Sequence, residues 1–275
     1  MQHEFPLRDR DFHRISDLVM ATTGIVISEK KRAFIHGRLG RRLRALGLAN
    51  FNEYCRVLDG PDGDAERHVL VNAITTNHTS FFREPHHFEY LAKTILPAIF
   101  RQREKANHRL RIWSAGCSTG EEPYTLAMTL RDCQLPLSAW DIRILGTDLD
   151  AGVVAHAAAG LYDDERVQSI PRNFRDKYVT EQPDGRGCMA LALRSLITFK
   201  PFNLLDEWPM RGPFDIIFCR NVVIYFDKPT QRDLFDRYAD ILKPDGWLIV
   251  GHSESLQNLT NRFELVGRNV YRRTK

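Results

Sequence analysis

The feature that most narrows the fold of this chain is an apolar run that ends in a glycine bend and restarts as a helix: Ile112-Trp-Ser-Ala-Gly116-Cys-Ser-Thr-Gly120-Glu121-Glu122-Pro123-Tyr124. The run 110–114 has strand character, the two glycines turn the chain, and Pro123 is a favoured first-turn residue of a helix. Such a unit belongs to doubly wound sheets, whose ligands bind outside the carboxyl ends of the strands. The glycines would let backbone approach a ligand that Cβ atoms exclude. A dinucleotide site expects G-x-G-x-x-G and a pyrophosphate on the helix N-terminus. Here Gly116 and Gly120 give G-x-x-x-G, and Glu121 and Glu122 stand where the phosphates would lie. Negative charge there opposes a diphosphate and suits a ligand carrying an amino group and a sulfonium. The alternative is that the two acids only complement the helix dipole, an effect of about 0.3–1 kcal/mol. Asp148 follows Gly120 by 28 residues, after the next apolar run 142–146, where a carboxylate commonly accepts ribose hydroxyls.

Strands and helices continue to interleave through a strand at 214–219, a helix at 230–242 and a strand at 247–251. The tail reads as a hairpin, 263–266 and 269–272, broken at Gly267. The fold class expected is α/β: a doubly wound, mostly parallel sheet with a terminal antiparallel hairpin. Three short strands at 178–180, 189–193 and 196–200 predict a small antiparallel β-subdomain inserted at about 176–200. The first 75 residues read as an all-helical domain. Asp9 or Asp11 can cap a helix reaching about residue 20, and a second runs from Ser28 to a stop at Gly47, with Ile35, Leu39, Leu43 and Leu46 in one arc. Shorter helices follow at 51–58 and 64–74. The domains expected are 1–75, a linker at 76–100 contributing to the cofactor site, and 101–275.

Composition excludes more than it identifies. No apolar run reaches the roughly 20 residues that span a bilayer, and the charged opening lacks a secretory h-region. Five scattered cysteines form no C-x-x-C pair, which argues against a disulfide framework and a structural zinc site and makes the cytoplasm the expected compartment. A net charge of +4 does not by itself imply nucleic-acid binding. Residues 30–44, however, carry seven Lys or Arg and no acid.

Six blocks stand in order: Asn77-His-Thr-Ser-Phe-Phe-Arg-Glu84 with His87-Phe88; Trp113 to Pro123; Gly146-Thr-Asp-Leu-Asp150; Phe202-Asn-Leu204; Phe218-Cys-Arg-Asn-Val-Val-Ile-Tyr-Phe-Asp227; and Val250-Gly-His-Ser-Glu-Ser-Leu256. With them the chain resembles the CheR-type chemotaxis receptor methyltransferases nearly end to end. The resemblance implies a helical N-terminal domain that recognises substrate and a class I methyltransferase domain that binds S-adenosylmethionine and releases S-adenosylhomocysteine. Carried over by position, the cofactor-binding residues are Asn77, Thr79, Arg83, Gly116, Glu121, Asp148, Asn203, Leu204, Arg220 and Asn221. The implied substrate is a glutamate on the cytoplasmic helical region of a chemoreceptor. The family's β-subdomain can also capture a peptide at the receptor's C-terminus by strand addition.

A glutamate is already ionised at neutral pH, so methyl transfer to it needs positioning rather than a base. Arg83 and Tyr225 are the candidates for orienting it, although Arg83 could instead pair with Glu84 or Asp148 and Tyr225 could be a core aromatic. Lys31, Arg38, Arg41 and Arg42 form the basic flank expected to meet a glutamate-rich helix, the alternative being a solvated face. Gly251-His-Ser-Glu-Ser255 lacks the second glycine of a nucleophile elbow. His78, His86 and His87 have no Cys or carboxylate at a recognisable ligand spacing, so no metal is expected. The competing functions are a nicotinamide-dependent oxidoreductase and a non-catalytic binder of the methyl donor. A monomer without nucleic acid or membrane insertion completes the expectation.

Overall fold

The computed structural model describes residues 4–61, 63–75, 77–103, 108–133, 135 and 139–274. The chain divides into two compact units, one made of Met1–Thr76 with Tyr225–Thr230, the other of Asn77–Ile224 with Gln231–Lys275.

In the first unit, α1 (Asp9–Thr23) buries Phe12, Ile15 and Val19, a spacing that puts all three on one helix face. It ends at Gly24 in the left-handed region. After a 3-10 turn, α2 (Arg32–Leu46) buries Ile35, Leu39 and Leu43 and stops at Gly47, φ 66°. Leu46, expected on the same stripe, is exposed. Asn50 caps α3 (Phe51–Asp59) by accepting from Glu53 N at 3.0 Å, and α4 (Gly63–Ile74) closes the bundle with Leu70 and Ile74. The core contains one buried acid cluster: Arg42 forks onto Glu66 at 2.9 and 2.6 Å, and Tyr54 Oη donates to Glu66 at 2.9 Å. The six late residues complete this unit through backbone. Ile25 and Phe226 form an antiparallel bridge, and Val26 N donates to the Tyr225 carbonyl at 2.9 Å.

The second unit opens with α5 (His86–Tyr90), a π-helical turn at Leu91–Ile95 and α6 (Leu96–Arg103). Then follow β1 (Arg109–Ala115), α7 (Glu121–Asp132), β2 (Asp141–Asp148), α8 (Ala151–Ala159), β3 (Leu161–Tyr162), α9 (Asp164–Gln168), α10 (Arg172–Tyr178), β4 (Val179–Glu181), β5 (Gly187–Met189), α11 (Leu191–Arg194) and β6 (Ile197–Pro201). The chain continues with β7 (Phe214–Cys219), α12 (Lys228–Ile241), whose first three residues group with the first unit, β8 (Leu242–Val250), β9 (Phe263–Gly267) and β10 (Val270–Arg273). The main sheet runs β6-β2-β1-β7-β8-β10-β9. Its first five strands are parallel and the last two form the expected antiparallel hairpin. Every residue of β7 is buried, as a central strand covered on both faces must be. Strand order reverses between β1 and β7, with Ile112 opposite Ile216, so the crevice beyond their carboxyl ends is the ligand position of this topology. None of the helices among the described residues is long and apolar enough to cross a membrane.

The predicted insert is real but differently bounded. A separate antiparallel sheet, β3-β5-β4, uses the strands near 179 and 188 and recruits Leu161 and Tyr162 from well upstream. The run 196–200 does not belong to it: β6 lies parallel to β2 as an edge strand of the main sheet, Ile144 opposite Ile197. Residues 191–194, read as strand, form the single-turn helix α11.

Candidate active site

The bend after β1 is held by backbone. Gly116 and Cys117 N–H both donate to the Thr147 carbonyl at 2.8 Å, which locks the bend to the end of β2. Gly116 and Gly120 have φ 91° and 97°, where only glycine is at ease. An added Cβ would also strike the protein itself, at 2.2 Å from Val222 Cγ2 for Gly116 and 2.7 Å from Ala157 Cβ for Gly120. The glycines thus serve internal packing, beyond the room for a ligand that the sequence suggested.

Asp148 sits at the carboxyl end of β2, beside the bend. One carboxylate oxygen accepts from Ser118 N at 2.8 Å and the other from Asp150 N at 3.1 Å, which leaves acceptor capacity on each. Burial pushes this carboxyl up while the N–H groups oppose the shift. Asp150 caps α8 through Gly152 N and accepts from Asn77 Nδ2 at 3.0 Å; Ser118 Oγ donates to the Asn77 carbonyl at 3.1 Å. Asn77 is therefore tied to both the bend and the aspartate corner. The segment carrying Asn203 and Leu204 starts at the same corner, since Phe202 N donates to the Asp148 carbonyl at 2.7 Å. Asn203 closes its own turn by accepting from Leu205 N, and Leu204 is buried. Thr79 is half-buried.

The two glutamates of the bend have separate partners. Glu121 is fully buried, pairs with the Arg166 guanidinium and accepts from Thr119 Oγ1 at 2.7 Å. Glu122 accepts from Ser114 Oγ at 2.7 Å and from Arg220 Nη1 at 2.8 Å. Arg220, 6% exposed, also reaches Glu84 at 3.3 Å and donates to the Arg83 carbonyl. Burial pushes the Glu84 carboxyl up, but a hydrogen bond with His252 and the Arg220 charge overcome it and hold the group at about 2. Burial and the Arg220 charge lower His87 to about 3. Its contact with Glu84 at 3.4 Å is therefore a neutral ring against a carboxylate. The Arg83 guanidinium pairs with neither Glu84 nor Asp148; it donates to the His78 carbonyl at 2.7 Å.

Glu84, His86 and His87 each offer a ligand atom, the three lying within 4.8 Å of one another, so the fold supplies a carboxylate that sequence spacing did not. Arg220 already places positive charge on that carboxylate, and the cluster reads as part of the ion-pair network. Asn221, φ 58°, leads the loop after β7 and is held by Glu254. Tyr225 groups with the helical unit, half-buried, with Lys31 Nζ 4.7 Å above its ring. Of the basic flank, Arg38 and Arg41 are exposed, Arg38 lies on the Phe34 ring, and Arg42 is engaged with Glu66. Sequence reasoning did not single out Ser118, Arg166 or Glu254, and it considered Glu84 only as a partner for Arg83. Asp150 was legible in principle, as an Asx residue directly before a helix.

Counted in chain order, the seven strands of the main sheet lie 3-2-1-4-5-7-6, and with an acidic glycine bend and a strand-end aspartate this is the fold of class I S-adenosylmethionine-dependent methyltransferases. Family comparison makes the class specific. Residues 77–272 match the CheR methyltransferase SAM binding domain and residues 10–75 the CheR methyltransferase all-alpha domain. The chain belongs to the CheR methyltransferase family. It is 39% identical over 279 residues to the chemotaxis protein methyltransferases of Salmonella typhimurium and Escherichia coli, covering all of this chain and 94% of each relative. A probable chemotaxis protein methyltransferase of Rhizobium etli is also 39% identical, over 94% of this chain and 97% of its own length.

Proposed function

We propose that this protein transfers a methyl group from S-adenosylmethionine to glutamate side-chain carboxylates on the cytoplasmic helical region of chemoreceptors, acting as a cytoplasmic monomer. The observation that carries the reading is the Asp148 corner, a half-buried carboxylate with acceptor capacity left on both oxygens, inside a domain whose family binds this donor. The donor set fits the group. Asp148 suits the ribose hydroxyls; Glu121, fully buried and paired with Arg166, would serve the amino-acid or ribose end by fixing the bend that meets it. Asn77, tied to the Asp148 corner, Asn203 and Leu204, which follow from it, and Arg220 and Asn221, after β7, are the proposed further contacts, with Thr79. Bound there, S-adenosylmethionine supplies a methyl carbon made electrophilic by its sulfonium. The acceptor glutamate, with an ordinary pKa of about 4.3, needs no base at neutral pH. The chain's contribution is to bind, to orient and to exclude water. Arg83 is the proposed fork for the acceptor carboxylate, and Tyr225 is proposed as a hydrogen-bond donor to the substrate. The exposed cations of α2 suit a glutamate-rich helix. β4, at one edge of the small sheet, suits strand addition by a receptor's C-terminal peptide.

The test is incorporation of labelled methyl from S-adenosylmethionine into a receptor fragment as a base-labile ester. Glu-to-Gln changes in the fragment should remove the label, and Asp148→Ala should abolish transfer together with S-adenosylhomocysteine binding while leaving the fold intact. Donor binding by the parent without any ester would overturn catalysis and leave the non-catalytic binder. Binding of NAD in its place would overturn the donor.

A further inference from the structure

A buried acid outside the residues proposed to bind the donor is satisfied by backbone N–H groups. Glu254, 3% exposed, lies in the loop after β8. Its Oε2 accepts from Gly251 N at 2.6 Å and Asn221 N at 2.8 Å; its Oε1 accepts from Val222 N at 2.9 Å and Ile224 N at 3.3 Å. Four backbone donors converge on one carboxylate, and no Lys, Arg or His among the described residues forms an ion pair with it. Charge-assisted bonds of this kind are the strong ones, and N–H groups left without their acceptor inside a protein are costly. The carboxylate is itself anchored. Glu254 N donates to the Gly251 carbonyl at 2.9 Å and Asn269 Nδ2 to the Glu254 carbonyl at 2.7 Å.

The stitch joins the loops that leave β7 and β8, both at the carboxyl end of the sheet. On the β7 side it fixes residues 221–224 and thereby keeps Asn221 in the left-handed region. Gly251 makes the approach feasible: a Cβ there would stand 2.7 Å from Asn221 Nδ2 and 2.8 Å from Glu254 Oε2. Nothing in the sequence pattern marks this role, because the serine-flanked segment resembles a failed nucleophile elbow.

We infer that Glu254 is a positioning residue of the donor site: without touching the donor, it presents Asn221 by holding the backbone of residues 221–224. The inference rests on the methyl-donor reading. The experiment compares the parent, Glu254→Gln, Glu254→Asp, Asn221→Ala and the double variant Asn221→Ala/Glu254→Gln by calorimetry with S-adenosylhomocysteine, alongside circular dichroism, Tm, and kcat and KM separately. In Glu254→Gln an amide NH2 faces two N–H donors, and affinity should fall roughly tenfold in folded protein. Glu254→Asp keeps the charge and should recover part of the loss. The double variant should bind within about threefold of Asn221→Ala alone, because both changes act through one side chain. A folded Glu254→Gln that binds within about twofold of the parent, or losses that multiply in the double variant, overturns the inference. If Gln prevents folding, Glu254→Asp decides on the same readout. A parent that takes up no S-adenosylhomocysteine overturns the donor reading instead, so the two failures are distinct.

Discussion

Carboxylates near the carboxyl ends of the parallel strands are satisfied in two different ways. Asp148 and Glu254 are held by backbone N–H groups, whereas Glu84 and Glu122 share the Arg220 guanidinium. Glu84 titrates at about 2 against an ordinary 4.5, and His87, buried beside the same guanidinium, at about 3 against 6.5. Both folded values lie below the unfolded ones, so as pH falls the unfolded chain takes up each proton first. The stabilisation is complete above the unfolded values and lost on the way down, from about 6.5 to 3 for His87 and from about 4.5 to 2 for Glu84. The unfolding free energy from urea titrations should therefore decline from near neutrality downward. His87→Gln, less stable at neutral pH, should show a shallower slope above about pH 5.5, where Glu84 contributes little to it. Equal slopes in parent and variant would rule out the His87 assignment. Individual residues also show where reading stops. Asp148 was legible because a carboxylate at a strand end needs only local pattern. The partners of Glu121 and Glu122 were not, since Arg166 and Arg220 stand 45 and 98 residues away and only the fold brings them together.

At the scale of elements, α2 separates two populations of cations that look alike in sequence. The run of seven without an acid is partly neutralised from elsewhere: Arg32 by Asp9 and Glu29, Arg42 by Glu66, and Arg44 by Glu4. Arg38 and Arg41 remain on the exposed face. Charge reversal at Arg38 and Arg41 should slow receptor methylation with no change in S-adenosylhomocysteine affinity or Tm. Arg42→Glu should instead lower stability by about 1–3 kcal/mol, since Glu66 is 6% exposed and would lose its forked partner. Parallel thermal melts and methylation assays separate the two outcomes, and equal loss of methylation without loss of stability in Arg42→Glu would refute the distinction. The glycine stop at 47 and the terminal hairpin were readable, because local backbone preference decides them. The run 196–200 was not. A short alternating strand carries no record of its partner's direction, so an edge of the parallel sheet reads like one side of an antiparallel ribbon.

For the whole molecule, net charge of +4 is modest, and its bearing on function depends on where the cations lie. If exposed cations steer a glutamate-rich helix, KM for a soluble receptor fragment should rise steeply between about 0.05 and 0.5 M salt while donor affinity moves little. A KM flat over that range would argue against steering. One consequence of the fold concerns biosynthesis. The helical bundle is encoded in two pieces, its last backbone bridge, Ile25 to Phe226, supplied by a stretch some 200 residues downstream. On the ribosome, the amino-terminal helices can collapse early, but the amide of Val26 must wait for its acceptor on Tyr225 until most of the methyltransferase domain has been translated. A nascent or truncated bundle is thus a near-finished structure with one open seam.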